Sequence, residues 1–426
     1  MISLRRTVLA GLFDAGLASL ATFAMGLYAA RLLPPAALGV YAVFFAAFVM
    51  AALVPTHLWF VPAEIQSLRS SGPARLRLLG QSLPLGSVPA LLAGILASGA
   101  AMAGTAGAAT TLTVPLALTS AVCAFVSPVQ DHARRMLHFA GRSWRAAAVS
   151  VVQLSSCVLA LLLSLRLPIP RAWVPFGALS LANIVSLSAA VLLAMEGRRT
   201  TPAPGRLPIT NMLRSGRWLM VLGLIPALAN FVSGILVSRL AGAVALGYVE
   251  VARVAGQPLL VLAMGLSAVL RPQLMESGAR RRRDVARRLS RTFQFLMLAC
   301  GLLYLAWISV PWLLNPIPKL LPNAYAVSGL LPLVLVAHLM DGLLPPHRAQ
   351  LVGADQGPAL VRLEGPACTL QVLVSATAAV TGPFAKPLGM LAQGVVGLGL
   401  LRRGSNRLYA DAKAVETSML AGPRLR

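Results

Sequence analysis

The sequence predicts an all-α polytopic membrane protein with about twelve transmembrane helices in two six-helix lobes. Three observations predict it: a composition too apolar for a soluble surface, apolar runs of bilayer-crossing length throughout the chain, and basic residues gathered between alternate runs. Charged residues make up 12% and AVILMFWYC 57% of the 426 residues, against roughly 25% charged in average globular chains. Mean hydropathy is +0.77, so lipid must solvate most of the surface. The net charge of +25 would ordinarily suggest nucleic acid, but the chain has no soluble domain to present it, and no nucleic-acid partner is expected. Of the 37 basic residues only Lys319, Lys386 and Lys413 are lysine. That arginine excess, beside abundant Ala, Leu and Gly, looks like a GC-rich bacterial genome.

A crossing helix needs about 20 apolar residues. Twelve runs are read at 8–30, 36–61, 79–103, 109–130, 146–168, 172–196, 217–239, 244–270, 292–314, 324–348, 359–381 and 386–402. The last is short and the least secure. Arg5 and Arg6 before the first run resemble a signal peptide, but the run is too long, holds Asp14 and leads directly into another span. A retained helix is expected. With the N-terminus inside, 30 of the 37 basic residues fall on the inner side, Arg253 falls within a span, and six (Arg31, Arg166, Arg171, Arg239, Lys319 and Lys386) fall outside. This positive-inside bias predicts a bacterial inner-membrane protein with both termini cytoplasmic. Trp144, Trp173, Trp218 and Trp312 lie near span ends, where amphipathic rings anchor. The run Arg280 to Arg283 with Arg287 and Arg288 reads as a topology determinant touching membrane lipid. Cys123, Cys157, Cys300 and Cys368 sit singly in apolar stretches; buried free thiols are expected, without disulfides or a metal site.

An internal repeat divides the chain. Arg31-Leu32-Leu-Pro-Pro-Ala-Ala37-Leu38-Gly39 follows the first span and Arg239-Leu240-Ala-Gly-Ala-Val-Ala245-Leu246-Gly247 follows the seventh. Both read R-L-x4-A-L-G. Matching position, spacing and topology favour duplication, with a pseudo-two-fold axis along the membrane normal. The expected division is a first lobe over 1–196, a polar, Pro/Gly-rich cytoplasmic linker over 197–216, a second lobe over 217–402 and a basic cytoplasmic tail over 403–426.

Ala30-Arg31-Leu32-Leu33-Pro34-Pro35-Ala36-Ala37-Leu38-Gly39-Val40-Tyr41-Ala42 resembles the junction of the first two helices in Wzx-type polysaccharide flippases. These belong to the multidrug/oligosaccharidyl-lipid/polysaccharide exporter superfamily. Ala245-Leu246-Gly247-Tyr248-Val249-Glu250-Val251-Ala252-Arg253, with Pro258 and Leu270-Arg271-Pro272, is similar to the same family's eighth helix. With span number and layout, the likeness runs over nearly the whole chain. It implies a MATE-like fold and movement of a polyprenyl-pyrophosphate-linked oligosaccharide from the inner to the outer leaflet by alternating access. It also implies no cofactor, with a polysaccharide polymerase and glycosyltransferases as partners. The sparse acidic complement is a departure from the family.

Ionisable groups within spans are expected to face protein or water, because each costs roughly 2.5–3.5 kcal/mol near the bilayer centre. Glu250 and Arg253 share a helical face at i,i+3, which suits either mutual neutralisation or the transport cavity. His338 and Asp341 have the same spacing and suit proton transfer or a structural polar contact. Asp14 and Glu364 complete the candidate coupling set. Arg31 and Arg239 end the first helix of each half on the outer side, where guanidinium can meet phosphate or cap the C-terminus of its own helix. Arg31, Arg239, Arg253 and Glu250 are therefore the candidate substrate contacts. No GxxxxGK[ST], GxSxG or HExxH occurs, and no loop is large enough for a catalytic domain, so a non-enzymatic transporter is expected. Its rivals are a cation-coupled drug antiporter, which wants acidic residues clustered in one lobe where here they are scattered, and a membrane glycosyltransferase or polymerase.

Overall fold

Lipid offers no partner to a backbone N–H or C=O, so a chain this apolar must satisfy both within its own segments. The computed structural model describes residues 2–67, 72–195 and 207–420. Apart from one isolated bridge between Ala106 and Ala108, every regular element among them is helical. The first lobe holds α1 (Ile2–Leu32), α2 (Pro35–Pro55, continued through Thr56–Phe60 and Val61–Ser67), α3 (Gly72–Gly104), α4 (Thr110–Phe139), α5 (Ser143–Ser164) and α6 (Val174–Met195). The second holds α7 (Ile209–Leu240), α8 (Ala243–Ala279), α9 (Arg283–Ile308), α10 (Leu330–Asp341, resumed over Pro345–Gly353), α11 (Gly357–Ser375) and α12 (Ala385–Leu420).

Among the described residues eleven stretches are long and apolar enough to cross a membrane. The weak one is α11, not the last span as the run lengths suggest. Arg362 and Glu364 dilute α11, whereas a crossing stretch extends over Ala378–Ala410. Of the linker expected at 197–216, residues 197–206 lie outside the described residues, and α7 begins at Ile209. The tail expected at 403–426 continues α12 as helix to Leu420. Cys123, Cys157 and Cys368 are buried, but Cys300 is exposed. An apolar neighbourhood does not imply burial in a bundle whose outer face meets lipid, where Leu96 (72% exposed) and Leu303 (72%) also point.

Three helix pairs turn at the arginine-rich end by the same device. The N–H of Arg142, Arg282 and Gln356 reaches back five residues to the carbonyls of Leu137, Ser277 and Leu351, at 2.8, 2.9 and 2.9 Å. This six-to-one bond closes a Schellman motif, which places the preceding residue in the left-handed region. Gly141 occupies it without strain, while Arg281 (φ 51°) and Asp355 (φ 57°) carry side chains there.

The packing of the second lobe repeats that of the first. α1 packs on α5 and α7 on α11; α2 on α3 and α4, and α8 on α9 and α10; α4 and α5 on α6, and α10 and α11 on α12. Across the lobes α2 meets α7 and α8, and α1 meets α8. The α2–α8 crossing is reciprocal. A Cβ on Gly39 would overlap the Ala243 carbonyl oxygen and stand 2.7 Å from its carbon; one on Gly247 would overlap the Pro35 oxygen and stand 2.8 Å from its carbon. Residues 35 and 39 are offset from 243 and 247 by the spacing of the R-L-x4-A-L-G repeat, so the contact maps onto itself as an isologous interface does. Only glycine lets two backbones approach this closely.

Candidate functional site

Three charged clusters lie inside the helices. The first joins the lobes. Glu250 is 3% exposed and accepts from Arg253 Nε at 2.8 Å and Nη2 at 2.7 Å, since i,i+3 places the two on one face. The Arg253 guanidinium also lies 4.4 Å over the Phe45 ring of α2, a cation–π contact across the lobe boundary. Lys386, at the start of α12, is 5% exposed and near enough to feel both Glu250 and Arg253. A Cβ on Gly234 would stand 3.8 Å from its Nζ. No hydrogen bond or ion pair holds this ammonium among the described residues. Tyr41 Oη and His338 Nδ1 are likewise buried without hydrogen-bond partners. One carboxylate therefore faces two basic side chains.

The second cluster lines a cavity of about 720 Å³. Its walls come from α7, α8, α9, α10 and α11, and only His57 is from the first lobe. The chamber is thus built mostly by the second lobe, with one first-lobe group at its edge. His57 arrives there because α2 widens to a π turn over Thr56–Phe60 just after Pro55, a distortion common at functional positions. Arg271, Asp341, Arg348 and Glu364 also line the chamber. Glu364 is ion-paired with Arg348, not with Arg362. Arg271 has no ion-pair partner among the described residues.

The third cluster crosses the first lobe. Asp14 accepts from Arg134 Nη1 at 2.6 Å, His138 Nε2 at 2.8 Å and Ser150 Oγ at 2.5 Å. Arg134 also reaches Asp131 at 2.5 Å. Arg135 Nε stands 3.3 Å from both Asp131 and Glu64, and His132 Nδ1 donates to Glu64 at 3.0 Å. The far side of that imidazole lies 2.8 Å from Ser82 Oγ, and Phe60 stacks on the ring at 4.3 Å. The acidic residues that are scattered in sequence are here gathered: Asp14, Glu64 and Asp131 meet two arginines and two histidines. Ion pairing of this density neutralises the carboxylates in place.

The structure therefore brings together Glu250, Arg253 and His338 in the central cluster, and Asp341 with Glu364 in the chamber. His338 and Asp341 share no hydrogen bond. Asp14 belongs to the first-lobe network. Arg31 is exposed at the end of α1. Arg239 donates to the carbonyls of Gly104 and Ala103 at 2.7 Å each, so it caps α3, and the α1 carbonyl of Leu32 is met by Arg171 at 3.0 Å. The residues that sequence reasoning passed over are Lys386, Arg271, Arg348 and the Glu64–His132–Arg134 group. Lys386, one of three lysines in an arginine-dominated chain and set at the head of an apolar run, carried a signal that was legible.

Neither protein-family models nor the sequences of curated proteins match this chain. Solved structures do. A multidrug resistance MATE family transporter of the MOP superfamily, inward-facing, matches with a TM-score of 0.68 at 15% identity, over 92% of this chain and 95% of that one. The fold is that of the MATE transporters. A MOP superfamily transporter from Pyrococcus furiosus, described as having a binding pocket of reversed polarity, matches at 0.66 and 16% identity over 95% and 96%. An outward-facing MATE transporter of the same superfamily gives 0.63 and 16% over the same shares. With this fold and its apolar helices, the chain is a multi-pass membrane protein.

Proposed function

We propose that the chain flips an anionic lipid-linked oligosaccharide, of the polyprenyl-pyrophosphate type, across a bacterial inner membrane. The observation that carries this reading is the buried surplus of positive charge, Arg253 and Lys386 against Glu250, with Lys386 only 5% exposed. A charge at this depth costs roughly 2.5–3.5 kcal/mol, so one left without a counter-ion marks a functional site. A pyrophosphate supplies the missing negative charge, and guanidinium and ammonium both bind it well. Arg271 extends the positive route into the chamber, and Arg31 offers a guanidinium without a partner among the described residues at the opposite end. The lobes correspond to the repeat-related halves, and the arginine-rich end faces the cytoplasm. A polymerase and glycosyltransferases would act on either side of this step.

A second reading, cation-coupled drug antiport, is favoured by the convergence of Asp14, Glu64 and Asp131 in one lobe. Purified protein reconstituted in vesicles separates the two. Leaflet exchange of a fluorescent polyprenyl-pyrophosphate-linked sugar supports the first; proton-driven efflux of a cationic dye without such exchange supports the second and defeats the first.

A further inference from the structure

At the arginine-rich end of the second lobe, α9, the Pro345–Gly353 segment and α12 enclose a separate pocket of about 280 Å³. It shares no lining residue with the chamber. Arg287 and Arg291 stand on one wall and Arg402 on the other. All three are exposed and none is held by a carboxylate among the described residues. Among the described residues no acidic one lines the pocket; Asp284 lines a neighbouring depression that shares Arg287 and Arg291 with it.

The floor is buried and already hydrogen-bonded. Gln350 (3% exposed) donates to Ser290 Oγ at 2.6 Å and accepts from Tyr409 at 3.2 Å. His347 (8% exposed) accepts from Gln294 at 3.2 Å and meets Ser405 Oγ at 3.1 Å. Such a floor fixes the pocket's shape without consuming the arginines. Three guanidinium groups over a polar floor at the end of a helix bundle fit a phosphate bidentately, and basic pockets between helices at the membrane surface suit anionic head groups.

We propose that this pocket is a phosphate-binding site, distinct from the transport path, for a phosphate carried on an anionic lipid head group or on a small soluble phosphate compound. The site does not depend on which substrate the chamber carries. Delipidated full-length protein is titrated by native mass spectrometry with phosphatidylglycerol, with phosphatidylcholine, and with inorganic pyrophosphate. The expected result is retention of phosphatidylglycerol over phosphatidylcholine. The triple variant Arg287→Gln/Arg291→Gln/Arg402→Gln should weaken it at least tenfold. The triple Arg281→Gln/Arg282→Gln/Arg283→Gln, which removes equal charge outside the pocket, should stay within twofold. Pyrophosphate retained by the wild type and lost in the pocket triple would assign the site to soluble phosphate. The single variant Arg402→Gln, expected to weaken binding several-fold, guards against misfolding of the triple. Failure of the wild type to retain either ligand, or equal losses in the two triples, would overturn the site.

Discussion

The reciprocal glycine contact between α2 and α8 gives the sharpest structural test. In Gly39→Ala the new methyl overlaps the Ala243 carbonyl oxygen and lies 2.7 Å from its carbon, whereas ordinary carbon contacts begin near 3.5 Å. Both atoms are helix backbone, which cannot rotate away as a side chain can. The helices must part by about 1 Å, and overpacking of this kind costs about 1–3 kcal/mol. If another state separates α2 from α8, as the proposed transport cycle would, the cost falls on the closed state alone. The equilibrium then shifts five- to over a hundredfold, at about 1.4 kcal/mol per factor of ten. Gly247→Ala should act alike. The double variant should be less than additive, because one separation relieves both overlaps. Leu246, fully buried at the crossing, reports on it: in a Cys300→Ser background, Leu246→Cys should be protected from a water-soluble maleimide until Gly39→Ala is added. Ala146→Cys in the first-lobe core should remain protected throughout. Unchanged labelling of Leu246→Cys in Gly39→Ala, with normal abundance, would refute the tight crossing.

Two further outcomes follow from single side chains. Glu364→Gln strands Arg348; the loss should be about 2 kcal/mol, below the 3–5 typical of a fully buried pair, because the Arg348 side chain is 30% exposed to the chamber. The melting temperature should fall and largely recover in Glu364→Leu/Arg348→Leu; an unshifted single variant would contradict the pairing. Asp355→Gly removes a side chain from the left-handed region, which costs about 1–2 kcal/mol, against about 0.5–1 for glycine's added freedom. A modest rise in melting temperature is expected, and a fall would argue against the Schellman turn.

The helices and their two-lobed order were legible because apolar length and the placement of arginines are local properties. The repeat at Arg31 and Arg239 also pointed to the crossing where Gly39 and Gly247 meet, although its glycines read only as motif letters. The charged clusters were not legible. Asp14 and Arg134 are 120 residues apart in sequence and His132 and Glu64 are 68 apart, so no window contains their pairing. Counting Arg134 and Arg348 as loop positives hid them as well, because α4 and α10 carry their polar ends inward. Lys386 stood out along the chain as a rare lysine at the head of an apolar run, but its surroundings did not: the groups it feels, Glu250 and Arg253, come from another helix.

Lys386 also provides the most direct test of the central claim, that an unneutralised buried positive charge serves an anionic substrate. Lys386→Gln removes a desolvated charge that has no ion-pair partner among the described residues, so the melting temperature should hold or rise. In vesicles, exchange of the polyprenyl-pyrophosphate-linked sugar should drop at least tenfold, the loss of one charge-assisted contact of about 1.5 kcal/mol or more. Exchange at the wild-type rate in a stable Lys386→Gln protein would contradict the account.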